Sequence, residues 1–576
     1  MAAYTTSGSG NWNDAATWGG GGYPTTGDTA TIATGHTVTI PVSTTSTSGA
    51  VTFNNGTGKL VVIGTWNLGG DVTMGGGTNI IQADPGSIID LNGYSIIQNT
   101  TGVAYNFIGT SGSRVTVRST GTAGTVTISG VTTVTPTFRF VDFNGIGDAV
   151  WGRLNATSNT VEMTDCTVTN CGAMTLDISG TGTGAGYIIQ RNQFINPTST
   201  TPQVSSKWQP YVSNTGASAG TNHRIFSDNI WTTTGTQSNV CYLRVRGMLV
   251  TRNVFHNVTI NSLTTDVYFV NNFFYNPKEK DGYGEYFRSG SDYQGSFLYN
   301  YCYYDDGDHS MSQSGKSADD TVIAQGNVLD GFDATVGTNW YMQPVPFTAR
   351  NNLILGQGNF LVGVTAIAPT WNIKNNLFYG SNDGQLGGGI AFAPFIITEQ
   401  TCTLTGTVNF RSNFSYNPDT TNDDWDVFID LLNATDNQID VCTHNYAWGD
   451  PGGSHTPTYG TNLDVPAPGT SDGSADPQFL DAGRNIKTWC STRGYGSATV
   501  ADAITALQAN TNRIGDLVLW VWDGYRPQNT ALRTVAHDGG LVGAANFYDS
   551  TRNTTFAETL RTTAASDYGV TVSPPF

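Results

Sequence analysis

Short apolar runs separated by polar corners recur along most of this chain, and one corner phrase returns with small variations between about Asp165 and Asn445. It reads Arg191-Asn192-Gln193-Phe194, Asp228-Asn229-Ile230-Trp231, Arg252-Asn253-Val254-Phe255, Asn271-Asn272-Phe273-Phe274, Tyr299-Asn300-Tyr301-Cys302 and Gly326-Asn327-Val328-Leu329. Later copies are Asn351-Asn352-Leu353-Ile354, Asn375-Asn376-Leu377-Phe378, Ser412-Asn413-Phe414-Ser415 and His444-Asn445-Tyr446-Ala447. The step is 24 residues from Asn229 to Asn253, 27 from Asn300 to Asn327, 25 from Asn327 to Asn352 and 24 from Asn352 to Asn376. The two steps of 37, into Asn229 and into Asn413, read as the same unit carrying a loop insertion. A period in the twenties with a short apolar strand on either side of a corner is the signature of a solenoid.

Strands of only a few residues cannot bury an apolar face alone, so each winding must stack on its neighbours, about 4.8 Å apart in the hydrogen-bonding direction. The corner Asn tolerates left-handed backbone and offers its amide to the Asn of the next winding. The apolar residue two places later points inward, and the residue between points out. The pattern therefore predicts an all-β fold, a right-handed parallel β-helix.

Residues 1–50 are expected to cap the solenoid, 51–449 to form it, 450–475 to link, and 476–576 to make a small closing module. In the early windings the alternation in Lys59-Leu60-Val61-Val62-Ile63, Ser87-Ile88-Ile89-Asp90-Leu91, Val115-Thr116-Val117 and Thr125-Val126-Thr127-Ile128 predicts strands. After Asn445 the texture changes. Val500, Ala503, Ile504 and Leu507 share a helical stripe, and Ile514 to Asp523 predicts a second short helix ending at Gly524.

Composition narrows the partners. Among 576 residues only 12% are charged, 11% are aromatic and the net charge is −18. Nucleic acid needs a basic face, and so does an anionic membrane surface; both are disfavoured. An acidic surface suits neutral glycans, or polyanions where a local basic patch exists, and along the sequence no basic cluster exceeds Lys278-Glu279-Lys280. Seven scattered cysteines without CxxC spacing read as buried thiols, not as zinc ligands. The first residues lack the basic and apolar regions of a signal peptide, and no apolar run is long enough to span a membrane.

Candidate chemistry concentrates between Lys278 and Asp320. Asp281 and Asp305 lie 24 residues apart, as do Glu285 and His309, while Asp308 and Asp333 lie 25 apart, so these side chains are expected on neighbouring windings of one face. Asp281, Glu285, Arg288, Asp305 and Asp308 are the candidate catalytic set. Carboxylates about 5 Å apart suit retaining glycoside hydrolysis, and carboxylates holding Ca²⁺ beside an Arg or Lys base suit a polysaccharide lyase. Tyr283, Tyr286, Tyr293, Tyr303, Tyr304 and His309 are candidates for sugar contact, the tyrosines by ring stacking. A solvated loop without chemistry explains the same run. No cofactor is required and no metal site is assigned, although Ca²⁺ is compatible with this run and with Asp423-Asp424-Trp425-Asp426. His36, in a turn, and His537-Asp538, beside a Gly turn, are read as structural.

Two resemblances bear on identity. The layout Asn11-Trp12, Trp18, Pro24, Gly27-Asp28, Ile32, Gly35-His36-Thr37-Val38-Thr39-Ile40 resembles the start of bacterial and phage β-helix proteins, including the so-called G8 type. The segments DPQFLD, WVWDGYRPQNTAL and AHDGGLVGAA resemble the closing module of phage right-handed β-helix proteins, found in tailspikes and related virion parts. That resemblance implies a virion surface component made in the host cytoplasm without a signal peptide, or else an extracellular protein. It further implies a homotrimer whose partners are host surface polysaccharide and other virion proteins. The expected activity is glycan contact without cleavage, with a depolymerase or a purely structural assembly protein as alternatives.

Overall fold

The computed structural model describes residues 1–98 continuously, then the strands and corners but not the longer loops up to 470, then 471–543 apart from 540 and 541. The chain forms two units, Met1–Arg246 and Gly247–Phe576. Each is a parallel β-solenoid, and among the described residues the three α-helices belong to the second while the first holds a short 3-10 helix at Ala15–Trp18.

In the first unit the predicted strands appear as Lys59–Val62, Ile88–Asp90, Val115–Arg118 and Val126–Ile128. Their register is regular: Thr37–Ile40 pairs with Lys59–Val62, which pairs with Ile80–Ala83, which pairs with Ala104–Ile108, all parallel. Alternate residues fill the shaft, as with Val38, Ile40, Leu60, Val62, Ile81, Ala83 and Phe107, each 0% exposed. At the amino-terminal end Trp12 and Trp18 meet edge to face at 5.2 Å. Their indole N–H groups donate to Pro24 O and Trp12 O, so both rings are buried with their polar edges satisfied. His36 Nδ1 lies 2.8 Å from Thr6 Oγ1, a contact inside this cap.

In the second unit the corner asparagines form one column, as the spacing predicts. The backbone N–H of Asn327 donates to Asn352 Oδ1 at 3.1 Å, and Asn327 Nδ2 donates to the same oxygen at 2.9 Å and to Phe297 O at 2.8 Å. The pattern repeats from Asn253 through Asn272, Asn300, Asn327, Asn352, Asn376 and Asn413 to Asn445. Each of these side chains is 0% exposed. An amide has two donors and two acceptor sites, and here each of them finds a partner, which makes burial affordable. The column ends on Asp472, whose Oδ1 accepts the Asn445 N–H at 2.9 Å. The stretch expected as a linker therefore supplies the final rung. In the first unit the same position holds Asn192, Asn229 and, one winding earlier, Cys166, whose Sγ faces Phe138 O at 3.6 Å.

One detail of the corner differs from expectation. The left-handed residue is not the column Asn but the one before it: Asp165, Arg191, Asp228, Arg252, Asn271, Tyr299, Gly326, Asn351, Asn375, Ser412 and His444 all have φ between 51° and 66°. The column Asn instead needs an ordinary backbone so that its N–H and Nδ2 can address the same acceptor.

The closing module contains three helices where two were expected: α1 (Ile486–Thr492), α2 (Val500–Ala509) and α3 (Arg513–Gly524). Seven residues give α1 too little periodicity to read. A capping box fixes its start: Asn485 accepts from Lys487 N and Thr488 N while Thr488 Oγ1 accepts from Asn485 N. Asp516 joins α3 to α1 by accepting from Trp489 Nε1 at 2.8 Å and Arg493 Nη2 at 2.8 Å.

Candidate functional site on the second unit

The module lies along the flank of the second unit's windings. Tyr301 Oη accepts from Ile486 N at 3.1 Å, and Trp522 Nε1 donates to Gly326 O at 3.3 Å. Tyr525 meets Tyr379 edge on at 5.1 Å, Phe479 meets Tyr416 at 5.3 Å, and Ser412 Oγ accepts from His537 N at 2.8 Å. Gly543, with φ of +77°, donates to Ser412 O, and a Cβ there would sit 2.9 Å from Phe414 Cβ, so a larger residue would push the segment off.

This cover changes what the outward position after each Asn does. Val254, Phe273, Tyr301, Val328, Leu353, Leu377 and Phe414 point away from the shaft and are nevertheless at most 2% exposed. Beneath the cover Asp330, 0% exposed, accepts from Tyr301 Oη at 2.5 Å. Burial holds the Tyr301 and Tyr525 hydroxyls far above the usual tyrosine range, and Asp330 adds to both.

Of the acidic and aromatic candidates, Asp281, Glu285, Arg288, Asp308, Tyr283, Tyr286, Tyr293 and His309 lie outside the described residues. Asp305 accepts from Tyr275 Oη at 2.6 Å, one winding away. Tyr303 stacks on Tyr275 at 5.7 Å, and Tyr303 and Tyr304 are each 1% exposed, so both rings are spent on packing inside the chain. Asp423, Asp424 and Asp426 also lie outside the described residues. Among the described residues no group of three or more His, Cys, Asp or Glu is placed to hold a metal, and no helix is long and apolar enough to cross a membrane. The six described cysteines are buried; burial pushes the Cys166 thiol up to about 12 and Cys171 to about 11.

The arrangement that sequence order hides is cationic. Strands Phe347–Arg350, Trp371–Lys374 and Val408–Arg411 pair in parallel with Arg350 against Lys374 and Lys374 against Arg411. Three basic residues thus stand in one column on consecutive windings of an acidic chain. Two places earlier on the same strands, Thr348, Asn372 and Asn409 form a parallel polar column, with Asn409 Nδ2 donating to Asn372 Oδ1 at 3.1 Å. All six side chains are half-buried and face outward, while Ala349, Ile373 and Phe410 between them are 0% exposed. Unit charges stacked about 5 Å apart repel by roughly 1–3 kcal/mol at the effective dielectric of a protein surface, less once solvent and salt screen them.

The surroundings only partly relieve that repulsion. Arg350 Nε donates to Gln325 Oε1, whose amide donates to Tyr299 Oη at 2.8 Å. Arg411 Nη2 reaches Asn409 Oδ1 at 3.4 Å, but Arg411 Nε is buried without a hydrogen-bond partner, and so is His444 Nδ1. Burial, then Arg411 and Arg350, hold the Lys374 ammonium below its usual value, while Asp538 pulls it back. Burial likewise holds His537 down, Asp538 opposes this, and Lys374, Arg411 and His444 add to the depression. Sequence reading missed this column because its members are 24 and 37 residues apart. The signal was present: Arg350, Lys374 and Arg411 each stand two places before a column Asn.

Comparison with models of protein families, with curated proteins and with solved structures finds no match for this chain.

Proposed function

We propose that this chain is a rigid, non-cleaving glycan-contacting solenoid displayed on a virion surface, with host surface polysaccharide as its ligand. The observation that supports this reading is the winding-to-winding register within each unit, parallel and in step apart from two local shifts in the first unit. It repeats one outward side-chain position at strand spacing, a geometry suited to a linear polymer of repeating units and wasted on a small metabolite. Folding entropy points the same way, since a preordered row of contacts loses little on binding an extended chain. The virion setting comes from the resemblance of the closing segments and not from the fold. The test is retention of full-length protein on an array of capsular and exopolysaccharides, with parallel assays for new reducing ends and unsaturated uronates. Retention without cleavage is the expected result. Cleavage that disappears in Asp305→Asn would establish the depolymerase reading instead, and no retention on any glycan would leave a purely structural protein.

A further inference from the structure

We propose that the outward face of Phe347–Arg350, Trp371–Lys374 and Val408–Arg411 is a binding site for an acidic polysaccharide, whose carboxylate or sulfate groups lie over the column Arg350, Lys374, Arg411. This deepens the glycan-contact reading and rests on it. Four observations converge. First, the chain as a whole carries −18, so a same-sign column on three adjacent windings runs against its general character. Cross-strand neighbours of like charge are destabilising in a sheet, and a bound anion would relieve them.

Second, part of the hydrogen-bonding capacity here is unused. Arg411 Nε and His444 Nδ1 are buried without partners. Neither Lys374 nor Arg411 has a carboxylate within ion-pair distance among the described residues. Third, the flanking column Thr348, Asn372, Asn409 supplies one hydroxyl and two amides at the same step. A sugar ring presents hydroxyls beside its anionic group, and this face offers a neutral polar row beside a cationic one. Fourth, the rows repeat at the strand spacing of about 4.8 Å, close to the rise of one pyranose along an extended chain, so successive residues of the polymer meet equivalent positions. Guanidinium groups bind carboxylate and sulfate in bidentate fashion, whereas Lys374 acts as a point charge between two forks.

The groups around the face set its pH behaviour. His537 and His444 stand beside the column and Asp538 is the carboxylate that acts on both Lys374 and His537. Protonating His537 adds a cation to the site, so affinity for an anion rises as pH falls below the usual histidine range near 6.5.

The test is isothermal titration of the full chain with uronate, sulfated and neutral oligosaccharides of equal length, and with inorganic sulfate alone, at low and moderate salt. Expected are binding of one acidic series with an affinity that falls with salt, and a loss of tenfold or more in Lys374→Gln and in Arg411→Gln. Both variants should melt at or above the parent temperature, since each relieves repulsion in the column, and should keep the parent affinity for any neutral glycan. Binding of neutral oligosaccharides with none of the acidic ones would overturn the anionic site while leaving glycan contact standing. Absence of binding to either series, alongside no retention on the polysaccharide array, would overturn both. A melting temperature lowered in Lys374→Gln and Arg411→Gln without ligand would show that the cations serve the chain's own carboxylates, and this too would overturn the proposal. The uronate and sulfated arms separate the two sources of anion.

Discussion

The outer corners of the two units solve the same problem in opposite ways. In the first unit charge is neutralised between neighbouring windings: Asp90 with Arg118, Asp142 with Arg114, Glu162 with Arg139 and Asp165 with Arg191. Asp90 is 4% exposed and also accepts from Asn92 N, Thr120 N and Thr120 Oγ1. Burial favours its neutral form, but these donors together outweigh burial and hold the carboxyl below its usual value. In the second unit Asp481, Arg484, Arg493, Asp516, Asp523 and Arg526 form ion pairs within the helical module, and the solenoid itself carries the cationic column. The position after each column Asn differs just as sharply. It is Gln193 and Ile230 in the first unit, and Thr167 after Cys166, all exposed or half-buried; in the second unit it is Val, Phe, Tyr, Val, Leu, Leu and Phe from Val254 to Phe414, all covered, before a half-buried Tyr446 at the last Asn. One winding geometry thus makes either a self-sufficient solvated flank or a flank that needs a cover and leaves charge to spare. What differs is the residue placed at two outward positions, not the backbone.

If the cover is what the second unit depends on, Trp522→Ala has the largest expected effect. Removing a 1% exposed indole and its bond to Gly326 O should cost about 3–5 kcal/mol. Hydrogen exchange should speed up at Tyr301, Val328 and Leu353 amides and stay unchanged in the first unit; equal acceleration in both units would break the contrast. Next comes Asn352→Ala. It strips the acceptor from the Asn327 N–H and the donor from Ala324 O, at a cost of roughly 3 kcal/mol read from urea unfolding. A loss under about 1 kcal/mol would mean that the column is decoration and the shaft alone holds the stack.

A smaller effect concerns pH. His537 is held below its usual value of 6.5 in the folded chain, so the unfolded chain binds the proton more readily. Stability is therefore full above about 6.5 and declines as pH falls through that value toward the folded-state pKa. Exchange at the Gly543 amide, which is bonded to Ser412 O, should quicken on acidification, and the effect should vanish in His537→Gln. The smallest effect belongs to Arg191→Gln. Its side chain is 52% exposed, so breaking its pair with Asp165 should shift stability by about 0.5 kcal/mol or less, measured as a barely altered unfolding midpoint. A larger loss would show that the first unit leans on its charge pairs more than solvent screening allows.

The β-helix was legible because its corner phrase is local and its period short; Asn253, Asn327, Asn352 and Asn376 align as their spacing requires. The helices α2 and α3 were legible from apolar stripes, while α1 was too short to show one. The cover was half-legible. A run of apolar residues at the outward position from Val254 to Phe414 announces that something lies on top, yet nothing local says that the chain's own return does so. The basic column was hidden for the opposite reason. Counted along the chain, Arg350, Lys374 and Arg411 are isolated, and they become a site only after the sequence is wrapped at the column Asn. Tyr303 and Tyr304 mislead in the same manner, since a tyrosine in a polar stretch looks solvent-facing until the neighbouring Tyr275 stacks against one of them.

Asp472 carries a consequence for self-association. An amide in a rung receives from one side and gives to the other, so a column of amides could in principle be prolonged without limit by a second molecule. A carboxylate only receives. By ending its column on Asp472, the chain places an acceptor where a further rung would need a donor, which makes that rung a poor template for fibre growth.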